Sequence, residues 1–160
     1  MAGFKNMDEV VVLIANALTT SSGCNEWYYG VPAEVNDKHD RDYPVASIYP
    51  LNTTIPYPMN LSRGQVQVAT TFEIFVFYNW GGKNMDDEPN VILKIIHSQS
   101  QGIITEALKV IFEEIENDNF DIIYTPTGST DIIFFEQYGT DLVAGAKFTL
   151  TLSYYEDCLE

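Results

Sequence analysis

Apolar and polar side chains alternate most regularly in a segment near the middle of the chain. Positions 66–78 are apolar at even numbers, apart from Thr70, and polar at odd numbers, apart from Ala69, until Phe75 and Phe77. A period of two predicts a long strand with one buried face. The two phenylalanines predict that the far end of this strand is covered on both faces. Residues 144–154 alternate in the same way and predict a second long strand.

Two further segments repeat apolar residues with the spacing of a helix. Residues 4–18 predict a first helix, in which Asp8 and Glu9 occupy the opening turn and complement the helix dipole. A second helix is predicted to open at Pro89 or Asn90, with Gly102 as a possible kink. Nine of its residues follow a roughly helical period and form its predicted apolar face: Ile92, Ile95, Ile96, Gln99, Ile103, Leu108, Ile111, Phe112 and Ile115.

Shorter strands and one long loop complete the pattern. The loop is predicted at residues 51–64, which hold three turn formers, Pro56, Pro58 and Gly64. The order of helix, two or three strands, helix and three strands predicts an α+β domain, with a mostly antiparallel sheet and two main helices packed on one face. The length of 160 residues suits a single domain, residues 1–160. The shorter strands are predicted at residues 27–31, 43–49, 120–124 and 131–138.

The charge of the chain excludes several classes of partner. Lys plus Arg number 8 and Asp plus Glu number 23, which leaves a formal net charge of −15. A protein this acidic does not bind nucleic-acid phosphates by releasing counterions, and it is repelled by anionic membranes. The N-terminus lacks the features of a secretory signal, so no export is expected. Cys24 and Cys158 lie far apart, which fits unpaired thiols in a reducing compartment.

The candidates for catalysis are few. His97 has no second histidine four residues away, and the sequence contains no nucleophile elbow, phosphate loop or CxxC pair. Asp37, His39 and Asp40 could contribute oxygen and imidazole ligands to a metal, but a solvated loop explains this charged run better. We therefore predict no enzyme activity, no cofactor and no metal site. An enzyme that binds a metal with these three residues remains an alternative function, ranked third after the two that are introduced below.

Aromatic residues at predicted strand ends and loops are candidates for an interface. Tyrosine and tryptophan combine a large apolar ring with a polar tip and are enriched where proteins meet. The alternative is that these rings only rim the core. The residues predicted to contact another subunit or a partner are Tyr28, Tyr29, Tyr57 and Trp80.

Four segments together resemble a known family. They are the aromatic segment WYYG after the first helix, the segment DYPVASIY behind an acidic loop, the alternating segment QVQVATTFEIFVFYN, and the closing segment TLTLSYYE. In their order and pattern they resemble the tail terminator proteins of long-tailed phages, the lambda-type minor tail protein U group, with related tail-completion and neck proteins. The likeness covers most of the chain and rests on pattern and order.

The resemblance implies a structural virion protein that assembles in the host cytoplasm. It implies a ring of copies, commonly six, at the head–tail junction, which terminates the tail tube and docks to head-completion and neck proteins. DNA would cross the lumen without being bound, and a negative wall would keep it mobile. The acidic loop with Asp86, Asp87 and Glu88 is predicted to face the lumen or a partner ring. The helix end with Glu113 and Glu114 is the second candidate for that position.

Charge also bears on assembly and on the competing function. Because each copy carries −15, repulsion between copies predicts an assembly that is sensitive to salt. The alternative function is an acidic decoy that mimics DNA and blocks a host nucleic-acid enzyme. Mimicry requires carboxylates spaced along one face, and here they are scattered among loops, so the ring is preferred.

Overall fold

The structure is a computed structural model, and it describes residues 6–20, 22–31, 43–59, 61–62, 64–79, 89–117, 122–124, 129–136 and 143–157. Two helices and seven strands are described, and they confirm the predicted α+β fold. In chain order they are α1 (Met7–Thr19), β1 (Glu26–Tyr29), β2 (Val45–Thr54), β3 (Leu61–Ser62), β4 (Gln65–Asn79), α2 (Pro89–Glu116), β5 (Ile122–Tyr124), β6 (Ile133–Phe135) and β7 (Val143–Asp157).

The sheet is built around the two strands whose alternation was clearest in the sequence. β4 and β7 pair antiparallel along their whole length, from Gln65 opposite Asp157 to Asn79 opposite Val143. The strand order is β1-β2-β4-β7-β5, with β3 paired to β4 and β6 paired to β7. Only β1 and β2 run parallel among these described pairs. The sheet is therefore mostly antiparallel, as predicted.

Both helices pack on one face of this sheet, which we call the helix face. It is formed by the even-numbered residues of β4 and β7, such as Ile74 and Phe148, which lie opposite each other. A capping hydrogen bond from the Glu9 N–H to the Asn6 side chain begins α1. The buried residues of α1 and α2 join the same apolar cluster: Val10, Val11, Leu13, Ile14, Ala15, Ala17, Leu18, Ile103, Ile104, Ala107 and Ile111.

The opposite face carries a smaller apolar cluster at one end. Phe75 and Phe77 are buried there with Val45 and Val143. Phe75 also contacts the ring of Phe135 edge to face, with 6.0 Å between the ring centroids. This confirms the prediction that the far end of β4 is covered on both faces.

The prediction of a loop over residues 51–64 was wrong in part. Residues 51–54 continue β2 and do not belong to the loop, because β4 is long enough to pair with them as far as Thr54 opposite Ala69. Leu61 and Ser62 form β3 and also pair with β4. Gly64 takes a positive φ of 80° in the tight turn that joins β3 to β4. The proline-rich region is therefore shorter than predicted.

The predicted apolar face of α2 needs correction as well. Ile96, Ile103 and Ile111 are buried as expected, but Ile95 and Phe112 are exposed. A helix of 3.6 residues per turn buries one stripe, and the predicted set combined residues of that stripe with its neighbours. Ile104, Ala107 and Ser100 complete the buried stripe.

Candidate interaction surface

The predicted interface aromatics differ in how far they are exposed. Tyr57 is 88% exposed and Tyr29 is 55% exposed. Tyr28 is half-buried: its ring packs against the smaller apolar cluster, and its hydroxyl donates a hydrogen bond of 2.8 Å to the carboxylate of Glu26. Tyr57 and Tyr29 thus present most of their rings to solvent, whereas Tyr28 lines the core. Trp80 lies outside the described residues.

Tyr57 belongs to a larger apolar surface, which we call the arm: residues 49–59 together with Leu61. The sequence from residue 43 to residue 62 contains no Asp, Glu, Lys, Arg or His, in a chain with a net charge of −15. Large exposed apolar side chains of this kind commonly mark a site of interaction. Those of the arm are Tyr49, Leu51, Ile55, Tyr57, Met59 and Leu61.

The pairing of β2 explains why the arm is exposed. Residues 45–48 are buried, with β1 on one side and β4 on the other. β1 ends at Tyr29 opposite Ile48, so from Tyr49 onwards no described strand pairs with the outer edge of β2. The register of β2 against β4 shifts between Pro50 and Asn52, as at a β-bulge. A proline and a bulge are typical of an edge strand.

The arm is attached to β4 on both sides of residues 55–59. Before them, residues 49–54 belong to β2 and run beside β4, and the Thr53 hydroxyl lies 3.0 Å from the Thr70 hydroxyl, within hydrogen-bond distance. After them, Leu61 pairs with Val66 of β4. Fixed ends limit the freedom of the segment between them, so less conformational entropy is lost when a partner binds. The arm is therefore a preorganised surface.

A second exposed apolar surface lies at the other side of the sheet, on β6. Ile133 is 52% exposed and Phe134 is 44% exposed, and we call these two residues the β6 edge. β6 pairs with β7 on one side, and no strand in the described part of the chain pairs with its other side. Neighbouring residues of a strand point to opposite faces, so apolar side chains are exposed on both faces of this edge.

His97 of α2 holds the β6 edge in place. Its Nε2 atom lies 3.0 Å from the carbonyl oxygen of Phe135, and its ring centroid lies 5.2 Å from that of Phe134. From the sequence, His97 lacked the second histidine of a zinc site and was expected to cap a packing face, and Ile133 and Phe134 were not singled out. Their signal was a short apolar run with Asp131 and Glu136 at its ends.

The predicted acidic surface is described only at the end of α2. Glu113 is exposed, and Glu114 is half-buried. The Asn117 N–H donates a hydrogen bond of 2.9 Å to the Glu113 carbonyl oxygen and extends the helical hydrogen bonding by one residue. Asp86, Asp87 and Glu88 lie outside the described residues. Whether Glu113 and Glu114 face a lumen or a partner stays a prediction.

Two features of the described residues bear on metal binding and on nucleophilic chemistry. Within the ranges given above, no three His, Cys, Asp or Glu side chains come together as a metal site would require. Burial raises the pKa of the Cys24 thiol from 9.0 to about 12, which makes it a poor nucleophile at neutral pH. Asp37, His39 and Asp40 lie outside the described residues. In the part of the chain that is described, neither helix has the length and apolar character needed to cross a membrane.

Comparison with known proteins does not identify a family. No protein-family model matches the chain, and no curated protein matches it either. The arm and the β6 edge are two exposed apolar features of the described surface, and the arm groups six large apolar side chains along one segment.

Proposed function

We propose that this chain is a structural protein of a phage head–tail junction. Its copies form a ring, commonly of six, which terminates the tail tube and joins it to head-completion and neck proteins. The resemblance of the four segments to tail terminators supports this proposal, as does the α+β fold. The proposed function requires contacts with copies of the chain and with other proteins, and no chemical reaction.

The observation that carries the proposal is the exposure of the arm. Six large apolar side chains of the arm are between 39% and 88% exposed, and the segment that holds them has no charge. Water disfavours such a surface, and covering it contributes about 25 cal/mol per Å² of apolar area removed from solvent. A monomeric protein keeps this apolar surface in water, whereas a subunit buries it on assembly and is stabilised by that burial.

The negative net charge of each copy suits the passage of DNA. A net charge of −15 per copy repels phosphates, so a duplex crosses the lumen without being held. The end of α2, with exposed Glu113, is the described candidate for such a wall. On the exposed side of α2, Lys109 lies between Glu106 and Glu113, so the acidic side chains there do not form the continuous row that a decoy of DNA requires.

Two measurements test the proposal. Native mass spectrometry and negative-stain electron microscopy of the purified chain should show closed rings with a central channel. Phage particles that lack the chain should show overlong or headless tails. Normal particles without it would overturn the proposal, and empty heads without tails would place the ring elsewhere in the neck. A monomer that inhibits a DNA-binding enzyme would support the decoy.

A further inference from the structure

We propose that the arm of one copy packs on the β6 edge of the next copy, head to tail around the ring. This inference rests on the proposed function, and it names the two surfaces that join the subunits. The contact places Tyr57 and Leu61 of one copy against Ile133 and Phe134 of its neighbour.

The topology of the sheet keeps the two surfaces apart within one copy. The arm flanks β4 on the side of β2, while β6 flanks β7 on the far side. They also lie at different positions along β4. Thr54 of the arm is opposite Ala69 of β4. Ile133 is opposite Lys147 of β7, which pairs with Phe75 of β4, further along that strand. Among the described residues, the arm of one copy therefore does not cover its own β6 edge, and both surfaces stay exposed.

Charge selects the arm as the part of a second copy that can approach β6. Asp131 and Glu136 lie at the two ends of this strand, and both are exposed. Most of another copy would bring further carboxylates towards them, since each copy carries −15. The arm itself brings none, because residues 43–62 contain no Asp or Glu. Glu73 of β4, which lies opposite Tyr49, forms an ion pair with Lys147. Approach by the arm therefore adds apolar contact with less repulsion between like charges than approach by a more acidic part of the copy.

Ring symmetry favours the same pairing. A cyclic ring is built from heterologous contacts, in which two different surfaces of each subunit are used. A contact of the arm with another arm would form a closed dimer and would leave the β6 edge in water. Contact of the arm with the β6 edge covers both surfaces in every subunit. It also uses the preorganised arm and an edge that His97 already holds.

Complementation between variants tests this contact. The arm variant carries Tyr57→Ser and Leu61→Ser, and the edge variant carries Ile133→Thr and Phe134→Thr. Each variant alone should associate about tenfold more weakly or worse than the unaltered chain, because central apolar anchors dominate such contacts. Mixed in equal amounts, they should form dimers that grow no further, since one intact arm then meets one intact edge. Sedimentation velocity measures both results.

A matched control is provided by Val12, which is 46% exposed on α1 and belongs to neither surface. The Val12→Gln variant should assemble like the unaltered chain. Circular dichroism of all variants should show an unchanged fold, since every altered residue is exposed. A mixture that stays monomeric, or an edge variant that dimerises alone, overturns the proposed contact.

Cross-linking gives a second, independent readout. Copies with Leu61→Cys and copies with Ile133→Cys, both carrying Cys158→Ser, should form a disulfide-linked dimer under mild oxidation. Replacing Leu61→Cys by Val12→Cys should abolish the cross-link. If unaltered rings form but tolerate both variants and give no cross-link, the contact is wrong and the proposed function stands. If the unaltered chain forms no ring in solution or in particles, the proposed function itself fails.

Discussion

The hydroxyl groups of Thr70 and Tyr154 lie 2.9 Å apart in the buried interior, on the neighbouring strands β4 and β7. The Thr53 hydroxyl of β2 lies 3.0 Å from the same Thr70 hydroxyl. The buried Thr70 thus links β2, β4 and β7 beside the arm. A buried polar group of this kind is stable only when it is hydrogen-bonded, so the link also fixes the register of the three strands.

Removing the Tyr154 hydroxyl should weaken the fold at this point. In Tyr154→Phe the ring stays in the core, but its hydrogen bond with Thr70 is lost. We expect the free energy of unfolding to fall by about 1 kcal/mol, as for a typical buried hydrogen bond. Urea unfolding measures this change. Tyr155→Phe, one residue along and half-buried, is the matched control and should change stability by less than about 0.5 kcal/mol. Equal effects would contradict the role of the buried link.

Two glycines should respond to alanine in opposite directions. A Cβ atom at Gly145 would overlap the Val76 carbonyl oxygen and lie 2.8 Å from the Phe77 Cα atom. Gly145→Ala must therefore separate β4 from β7 and should cost at least about 1–3 kcal/mol. A Cβ atom at Gly102 in α2 meets nothing within 4 Å. Gly102→Ala should instead stabilise the helix by about 0.5–1 kcal/mol. Thermal unfolding of both variants checks the signs, and a stable Gly145→Ala variant would refute the close approach.

The buried thiol of Cys24 should make the fold sensitive to alkali. Burial raises its pKa from 9.0 to about 12, so the folded chain keeps a proton that the unfolded chain releases. The stability from this group is complete below pH 9 and is lost as the pH rises towards 12. The slope is about 1.4 kcal/mol per pH unit at most.

Cys24→Ala separates this effect from others. Urea unfolding at pH 8, 10 and 11 should show a shallower decline in the variant than in the unaltered chain. Some decline should remain, because burial also raises the pKa of Tyr154 above its ordinary value of 10.0. Identical slopes for the two proteins would show that Cys24 does not control the alkaline transition.

Salt should promote assembly of the proposed ring. Every copy adds a charge of −15, and the Debye length shortens from about 30 Å at 0.01 M salt to about 8 Å at 0.15 M. Screening therefore reduces repulsion between subunits while it leaves the apolar contact of the arm intact. Sedimentation at the two salt concentrations should show larger assemblies at the higher one. The arm variant with Tyr57→Ser and Leu61→Ser should form smaller assemblies than the unaltered chain at both salt concentrations, and assemblies that dissociate as salt rises would contradict this account.

The sequence was sufficient for the long elements and for the fold class. The period of two in β4 and β7 and the helical period of α1 arise from local geometry, so they can be recognised without knowing what packs against them. It was less reliable where burial depends on distant residues. Nothing local distinguishes Ile95, which is exposed, from Ile96, which is buried. The continuation of β2 to Thr54 required knowledge of how far β4 extends beside it.

The candidate surface could likewise be predicted from the sequence only in part. The sequence by itself determined the charge of the chain, the absence of charge between residues 43 and 62, and Tyr57 as an interface candidate. Only the tertiary structure showed that Leu61 is exposed, that Tyr28 is half-buried, and that Ile133 and Phe134 lie on an exposed edge. The physical reason is that composition belongs to the chain, whereas exposure depends on which strand is the last to find a partner in the sheet.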